Sequence, residues 1–113
     1  MKRKLKRRGR ERIDYENLFG WHLQTAEIYF EREFKFHPTR KWRADFKIEG
    51  WSLLVEIEGG TWVGGRHTRP LGFQNDIVKY NEMMLAGYRL LRGTPADVTS
   101  GRLLAWVKRG IGR

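Results

Sequence analysis

The chain has 113 residues and no cysteine, and its 23 Lys and Arg against 13 Asp and Glu give a net charge of +10. This length is typical of one small domain, and the absence of cysteine excludes disulfides, thiolate zinc sites, iron–sulfur clusters and cysteine nucleophiles. No apolar run approaches the roughly 18 residues of a membrane helix, and no signal-peptide pattern follows the basic N-terminus, so we expect a soluble, cytoplasmic protein. The basic excess favours nucleic acid as a partner over an acidic membrane, because clustered Lys and Arg release phosphate counterions.

Most of the positive charge lies at the N-terminus. Residues 2–12 contain eight basic side chains and one acid, and so carry +7 of the net charge. Like charges at this density repel, so we predict a flexible arm over residues 1–12 that orders on a phosphate backbone, followed by a single domain over residues 13–113. An arm that aids only solubility is the alternative. The predicted DNA-binding residues of the arm are Lys2, Arg3, Lys4, Lys6, Arg7, Arg8 and Arg10.

The first predicted elements are a helix and a strand. Leu18 and Trp21 recur at helical spacing and Asp14 is a suitable N-cap, which predicts a helix over residues 14–25. The residues that follow alternate, with their Phe side chains on one face, and predict a strand over residues 28–36.

A tight hairpin and a loop come next. Two strand-like runs, over residues 43–48 and 53–58, flank a predicted two-residue turn at Gly50-Trp51. Residues 61–72 predict a glycine-rich loop, and their sequence matches neither a Walker A loop nor a dinucleotide fingerprint.

The C-terminal half of the sequence predicts a helix that connects two parallel strands. Phe73, Ile77, Tyr80 and Met84 mark the apolar face of a second helix that ends at Gly87. A strand over residues 88–92 then completes a right-handed βαβ unit, so it should lie parallel to the third strand.

Beyond that strand we expect a turn at residues 94–97 and a last helix between Ser100 and Gly110. The predicted fold class is therefore α/β, with a mixed central sheet flanked by helices and a C-terminal helix.

The hairpin brings acidic side chains together. With a two-residue turn, Asp45 opposes Glu56, and directly opposed side chains share a face with Cβ atoms about 4.5–5.5 Å apart. Glu58 adds a third negative charge to that face. Because opposed like charges are destabilising, the pattern predicts a hard divalent cation, Mg²⁺ with Mn²⁺ as a substitute, bound by Asp45 and Glu56. The alternative is a solvated sheet face of alternating Asp, Lys and Glu.

The order of these elements and acids resembles the PD-(D/E)XK nuclease superfamily, whose restriction-endonuclease-like core is a helix, three antiparallel strands, a crossover helix and a fourth strand. Asp45, within Trp42-Arg43-Ala44-Asp45-Phe46, matches the signature Asp of the superfamily. Glu56-Ile57-Glu58 matches its (D/E)-x-K pair. The acid that many members carry on the first helix would be Glu16.

The segment from Phe34 to Arg92 is more similar to small phage and bacterial endonucleases of the very-short-patch-repair and Holliday-junction-resolvase types. The pieces that carry this similarity are Phe36 to Arg40, Trp42 to Phe46, Val55 to Gly60, Gly65 to Arg69, Asp76 to Asn81 and Gly87 to Arg92. The resemblance implies a Mg²⁺-dependent, structure-selective DNA endonuclease that resolves four-way junctions as a homodimer. A nicking enzyme of the very-short-patch-repair type and a non-catalytic nucleic-acid-binding module are the alternatives.

A chain of this length leaves no room for a separate sequence-reading domain, so we expect selectivity to come from DNA shape and backbone.

One position departs from the superfamily pattern, because Glu58 stands where the motif has the lysine that positions the attacking water. Some restriction endonucleases use Glu there, and others supply a lysine from the next helix, for which Lys79 is the candidate. The alternative for Lys79 is a solvent-exposed helix lysine.

The glycine-rich loop supplies three further candidates. His67 lies where very-short-patch-repair-like enzymes place histidine, and could polarise a water or bind the scissile phosphate. Arg66 and Arg69 are predicted phosphate contacts, since guanidinium forks match phosphate oxygens.

Glu16 is the first choice for a third acid because it lies on the predicted helix, and Glu31 and Glu33 could flank the site instead. The predicted catalytic residues are Glu16, Asp45, Glu56, Glu58, His67 and Lys79.

Overall fold

A computed structural model describes residues 13–59, 62–63, 66–67 and 70–113. The elements in chain order are α1 (Tyr15–Thr25), β1 (Phe30–Lys35), β2 (Arg43–Ile48), β3 (Leu53–Ile57), β4 (Trp62–Val63), β5 (Arg66–His67), α2 (Pro70–Leu85), β6 (Arg89–Gly93), α3 (Pro95–Thr99) and α4 (Arg102–Gly110). The predicted α/β class, with its helix, three strands, crossover helix and fourth strand, is confirmed. Among the described residues, no helix combines the length and apolar character needed to cross a bilayer.

Four strands form one mixed sheet in the order β1-β2-β3-β6. The first three are antiparallel neighbours, and β6 lies parallel to β3, as the crossover through α2 requires. Phe46 pairs with Val55 and Ile48 pairs with Leu53, which is the register that a two-residue turn predicts. Gly50 permits this turn because its φ is +84°, a conformation that costs other residues a steric clash.

Apolar side chains pack on both faces of the sheet. On one face, Phe19 of α1 and Val107 of α4 pack with Phe46 of β2 in the larger core. On the other face, Met83 of α2 packs with Leu54 of β3 in a smaller core. The sheet is therefore covered on both sides, as in other α/β folds.

The buried face of α2 differs from the predicted one. Ile77 and Met84, which were predicted to face the core, are 45% and 60% exposed, whereas Met83 is fully buried. The helix instead turns Lys79 toward the sheet, where its ammonium pairs with Glu56. Breaking a buried ion pair costs about 3–5 kcal/mol. Completing the burial of two half-exposed apolar side chains would contribute less, because burying one whole side chain contributes about 1.5–3 kcal/mol.

Two segments predicted as irregular have secondary structure. The glycine-rich loop contains the short antiparallel pair β4-β5 and the start of α2. Residues 94–97 begin the helix α3, and the last helix begins later than predicted, at Arg102.

A reciprocal cap starts α3. The hydroxyl of Thr94 accepts a hydrogen bond from the Asp97 N–H at 3.2 Å, and the Asp97 carboxylate accepts one from the Thr94 N–H at 2.9 Å. The same carboxylate binds the Arg102 guanidinium. This capping box satisfies helix-end N–H groups that would otherwise lack partners.

We expect Thr94→Ala to lower the free energy of unfolding by about 1 kcal/mol. Asp97→Asn should also destabilise at neutral pH, because hydrogen bonds from the Thr94 backbone and from Arg102 hold the pKa of Asp97 below its ordinary value. Stability from a lowered pKa is present above the unfolded-state pKa of about 3.9 and is lost as the pH falls through the folded-state value. Urea unfolding should therefore show a wild-type advantage over Asp97→Asn at pH 7 that shrinks as the pH falls below about 4. An advantage that is independent of pH would contradict this assignment.

Candidate active site

Carboxylates gather at the edge of the sheet where β2 begins and β3 ends. Glu16 comes from the first turn of α1, and Asp45 comes from β2. Carboxylate oxygens of Glu16, Glu33 and Asp45 all lie within 4.8 Å of one another. Glu16 is the predicted third acid and Glu33 its competitor, and the structure places both beside Asp45.

Irregular backbone in β1 and β2 brings the side chains of these acids together. Ala44 packs in the smaller core beneath α2, whereas Phe46 packs in the larger core on the opposite face of the sheet. Residues two apart on a regular strand face the same side, so the pleat of β2 breaks at Asp45. Across from Asp45 on β1, Glu33 has a φ of +50°, which non-glycine residues rarely adopt. The break turns Asp45 toward Glu33 and Glu16.

The predicted direct opposition of Asp45 and Glu56 is not formed. Regular pairing of β2 with β3 ends at Phe46 and Val55, one residue short of the two acids. The next backbone group of β3, the N–H of Ile57, instead donates a hydrogen bond of 2.8 Å to Asp45 Oδ2. At this point the side chain of Asp45, and not the backbone of β2, accepts the hydrogen bond from β3.

The environment of Asp45 disfavours its negative charge. Burial raises the pKa of Asp45 to about 7 against the lowering effect of the Ile57 hydrogen bond, and the nearby charges of Glu56 and Glu16 add to the rise. Desolvation and like charges both favour the neutral acid, and a bound cation would reverse this preference.

Glu16 is held by a residue that sequence reasoning missed. The guanidinium of Arg32 donates to Glu16 Oε1 at 3.1 Å and to Asn17 Oδ1 at 3.2 Å. It also lies 4.9 Å from the centroid of the Phe46 ring. Arg32 therefore fixes one oxygen of Glu16 and leaves the other for a further ligand.

Glu56 is engaged by two side chains from α2. Lys79 Nζ donates to its Oε2 at 3.0 Å, and the Tyr80 hydroxyl lies 3.2 Å from its Oε1. Burial raises the pKa of Glu56, and Lys79 opposes that rise. Only 18% of the Lys79 side chain and 9% of the Glu56 side chain are exposed, so the alternative of a solvent-exposed lysine does not hold.

Glu58 belongs to a second, adjacent group. Its Oε2 accepts a hydrogen bond of 2.6 Å from Arg92 Nε and lies 3.2 Å from the Tyr80 hydroxyl. The Arg92 guanidinium also lies 4.4 Å from the centroid of the Tyr80 ring. Arg92 thus offsets the charge of the acid that stands in place of the motif lysine.

Tyr80 and Arg92 are site residues that sequence reasoning did not identify as functional. Tyr80 was assigned to the apolar face of α2, and its hydroxyl gave no sign of two acidic neighbours. The predicted parallel pairing of β3 with β6 could have identified Arg92, because it places Arg92 beside Glu56.

Two of the remaining predicted residues lie in the described part of the glycine-rich loop. Arg66 and His67 form β5, whose backbone pairs with Val63 and Trp62. Their proposed roles toward phosphate and water stay predictions. Outside the described residues lie Lys2, Arg3, Lys4, Lys6, Arg7, Arg8, Arg10 and Arg69.

The donor set suits a hard divalent ion. Glu16, Glu33 and Asp45 supply carboxylate oxygens, which Mg²⁺ and Mn²⁺ prefer. The predicted pairing of Asp45 with Glu56 as metal ligands stays a prediction, and both oxygens of Glu56 contact side chains of α2. The structure places the carboxylates of Glu16 and Glu33 beside Asp45 as well.

We expect the metal-free protein to lose stability as the pH rises from about 4 to about 7, because the folded-state pKa of Asp45 is about 7 and the unfolded-state pKa is about 3.9. Because the folded state binds the Asp45 proton more tightly, the proton contributes its full stabilisation below the unfolded-state pKa. This contribution is lost as the pH rises through the folded-state pKa. Asp45→Asn keeps an oxygen for the Ile57 N–H and removes the charge. Thermal melts in EDTA should show this variant more stable than the wild type at pH 8 and close to it at pH 4. Equal melting temperatures at pH 8 would contradict the account of Asp45.

Comparison with known proteins supports the fold. No protein-family model matches the chain, and no curated protein is significantly similar to it. The structure is similar to a solved structure, the "Homing Endonuclease I-Bth0305I Catalytic Domain", with a TM-score of 0.60. The two share 19% identity over 89% of this chain and 92% of that chain. At this identity the similarity establishes a shared α/β fold.

Proposed function

We propose that the protein is a metal-dependent DNA endonuclease. The observation that carries the proposal is the group of three carboxylates, Glu16, Glu33 and Asp45, whose oxygens lie within 4.8 Å of one another in a chain of net charge +10. A basic surface attracts DNA, but adjacent carboxylates repel its phosphates unless a cation lies between them. The fold shared with an endonuclease catalytic domain supports the same conclusion.

Mg²⁺, or Mn²⁺ in its place, is the cofactor that we propose for this group. Asp45, Glu16 and Glu33 would each supply a carboxylate oxygen to it. When bound, such an ion lowers the pKa of a water and neutralises charge on a phosphoryl group. Burial and neighbouring charges raise the pKa of Asp45, and a bound cation would favour its charged form.

The residues of the chain have distinct proposed roles. Glu56 holds the Lys79 ammonium next to the carboxylates, at 3.0 Å from its own oxygen. A fixed cation there can orient an attacking water and stabilise the charge that develops on phosphate. His67 remains a proposed proton acceptor or phosphate contact, and Arg66 and Arg69 remain proposed phosphate contacts.

The substrate we propose is branched DNA, with four-way junctions first. A junction has two symmetric strands to cut, so a homodimer with two active sites related by a two-fold axis suits it. The support for this finer assignment is the sequence resemblance to resolvases, which covers Phe34 to Arg92.

One assay tests the proposal and its substrate. Labelled four-way junction and a linear duplex of matched sequence are each incubated with the protein in Mg²⁺ or in EDTA. Paired symmetric cuts in the junction alone, and only with Mg²⁺, are the expected result. Nicks in the linear duplex would instead favour the very-short-patch-repair type. Binding without any cleavage would contradict the enzyme and favour a nucleic-acid-binding module.

A further inference from the structure

The turn between β1 and β2 carries exposed positive charge that the proposed chemistry does not use. No Asp or Glu occurs between Phe34 and Ala44. Four exposed cations lie in this stretch, namely Lys35, Arg40, Lys41 and Arg43. In the part of the chain that the structure describes, none of the four takes part in an ion pair. The charge of this turn is therefore available to a partner.

The side chain of His37 forms hydrogen bonds within the turn. The Nδ1 atom of His37 accepts hydrogen bonds from the Thr39 N–H at 3.2 Å and the Arg40 N–H at 3.0 Å. Since Nδ1 is an acceptor, the ring proton lies on Nε2, which is 3.4 Å from a Glu82 oxygen on α2. The imidazole thus joins the turn to the helix that carries Lys79.

An aromatic stack orients Arg40. Trp42 lies nearly parallel to Phe36, with 10° between the ring planes and 6.1 Å between their centroids. The Arg40 guanidinium lies 3.9 Å above the Trp42 ring. A guanidinium that stacks in this way keeps its N–H groups directed outward in its own plane, which is the geometry that binds two phosphate oxygens at once.

The turn lies close to the carboxylate group along the same strand. Arg43, the first residue of β2, precedes Asp45 by two residues, which is about 7 Å of strand at about 3.3 Å per residue. One strand of duplex DNA carries a phosphate for about every 3.4 Å of axial rise, so this distance spans about two base pairs.

We propose that the β1–β2 turn binds the phosphate backbone of the DNA substrate, with Arg40 as a two-pronged phosphate ligand and the flanking cations as point charges. The contact lies a few base pairs from the bond that is cut. The inference rests on the proposed function for its substrate, and it assigns a DNA contact within the folded domain, separate from the N-terminal arm and the glycine-rich loop.

Salt-dependent DNA binding tests this surface. Arg40→Ala with Lys41→Ala removes two exposed charges from the turn, and Lys108→Ala with Arg109→Ala removes two charges from α4 as the matched control. Binding of a fluorescent linear duplex is followed by anisotropy in EDTA over a series of NaCl concentrations. Each lost phosphate contact lowers the slope of log K against log salt by about 0.9, so the turn variant should have a slope smaller by about 1–2 and an affinity lower on the order of tenfold.

The control variant should keep a slope and affinity close to those of the wild type, and circular dichroism should show both variants folded. In Mg²⁺, the turn variant should have a raised KM and an unchanged kcat, because a distant phosphate contact binds the ground state and the transition state alike. Wild-type slope and affinity in the turn variant would overturn the inference, and so would an equal loss in the control.

These outcomes are distinguishable from failure of the proposed function. A wild-type protein that binds DNA through the turn but cuts none in Mg²⁺ would contradict the endonuclease and support this surface. A wild-type protein that binds no DNA would contradict both.

Discussion

Replacing Asp45 with Asn should lower the rate of DNA cleavage in Mg²⁺ by about a thousandfold, because a catalytic metal supplies several kcal/mol of transition-state stabilisation and each 1.4 kcal/mol is worth tenfold in rate. Asn keeps the size of the side chain and an oxygen for the Ile57 N–H, so the fold should be retained. It loses the charge that joins the three carboxylates into one site. The measurement is the single-turnover cleavage rate, with DNA affinity determined in EDTA alongside it.

The matched control for Asp45→Asn is Asp14→Asn. Asp14 caps α1 by accepting a hydrogen bond of 3.0 Å from the Asn17 N–H, two residues from Glu16 in sequence. Asn caps helices about as well as Asp, so this variant loses the same charge without losing the cap. We expect it to cleave at the wild-type rate. Cleavage by Asp45→Asn at the rate of this control would refute the active-site assignment.

Lys79→Met should lower the cleavage rate by about a hundredfold or more, which is the lower end of what one preorganised charged or hydrogen-bonding group contributes to a transition state. It should also destabilise the protein, because the carboxylate of Glu56 stays buried without its cation. The cleavage rate and the free energy of unfolding are both measured, since the two effects have separate causes.

A double variant separates those causes. Lys79→Met with Glu56→Gln removes both charges of the pair, so it should regain much of the stability that Lys79→Met loses, yet stay inactive. Lys47→Met, which removes a β2 lysine that has no ion pair among the described residues, is the control for loss of one positive charge. If Lys79→Met retained the wild-type kcat, the lysine would serve only to compensate Glu56.

The hairpin was predictable because its determinants are local. A glycine that can adopt positive φ sits between two alternating runs, and these features fix the pairing of Phe46 with Val55. The predicted strand pairing extended one residue too far, to Asp45 and Glu56, because the break in β2 depends on the backbone of β1. Glu33 adopts a φ of +50° with no glycine or asparagine to signal it.

The orientation of α2 could not be found from hydrophobic periodicity. Ile77 and Met84 have the right spacing for a core face, but the helix is turned by the pairing of Lys79 with Glu56, which are 23 residues apart in sequence. The cap of α3 is a different case, because Thr94-Pro95-Ala96-Asp97 carries a capping-box pattern with proline at the first helical position. That signal was present in the sequence and was interpreted as a turn.

The central claim is that DNA cleavage by this protein depends on a divalent ion held by its carboxylates. The most direct measurement is a cleavage time course on one labelled DNA substrate in Mg²⁺, in EDTA, and in EDTA followed by excess Mg²⁺, with Asp45→Asn purified in parallel. The account predicts cleavage by the wild type in Mg²⁺, none in EDTA, recovery when Mg²⁺ is restored, and background cleavage by the variant throughout. Cleavage by the wild type that continues in EDTA, or equal cleavage by the variant, would contradict it.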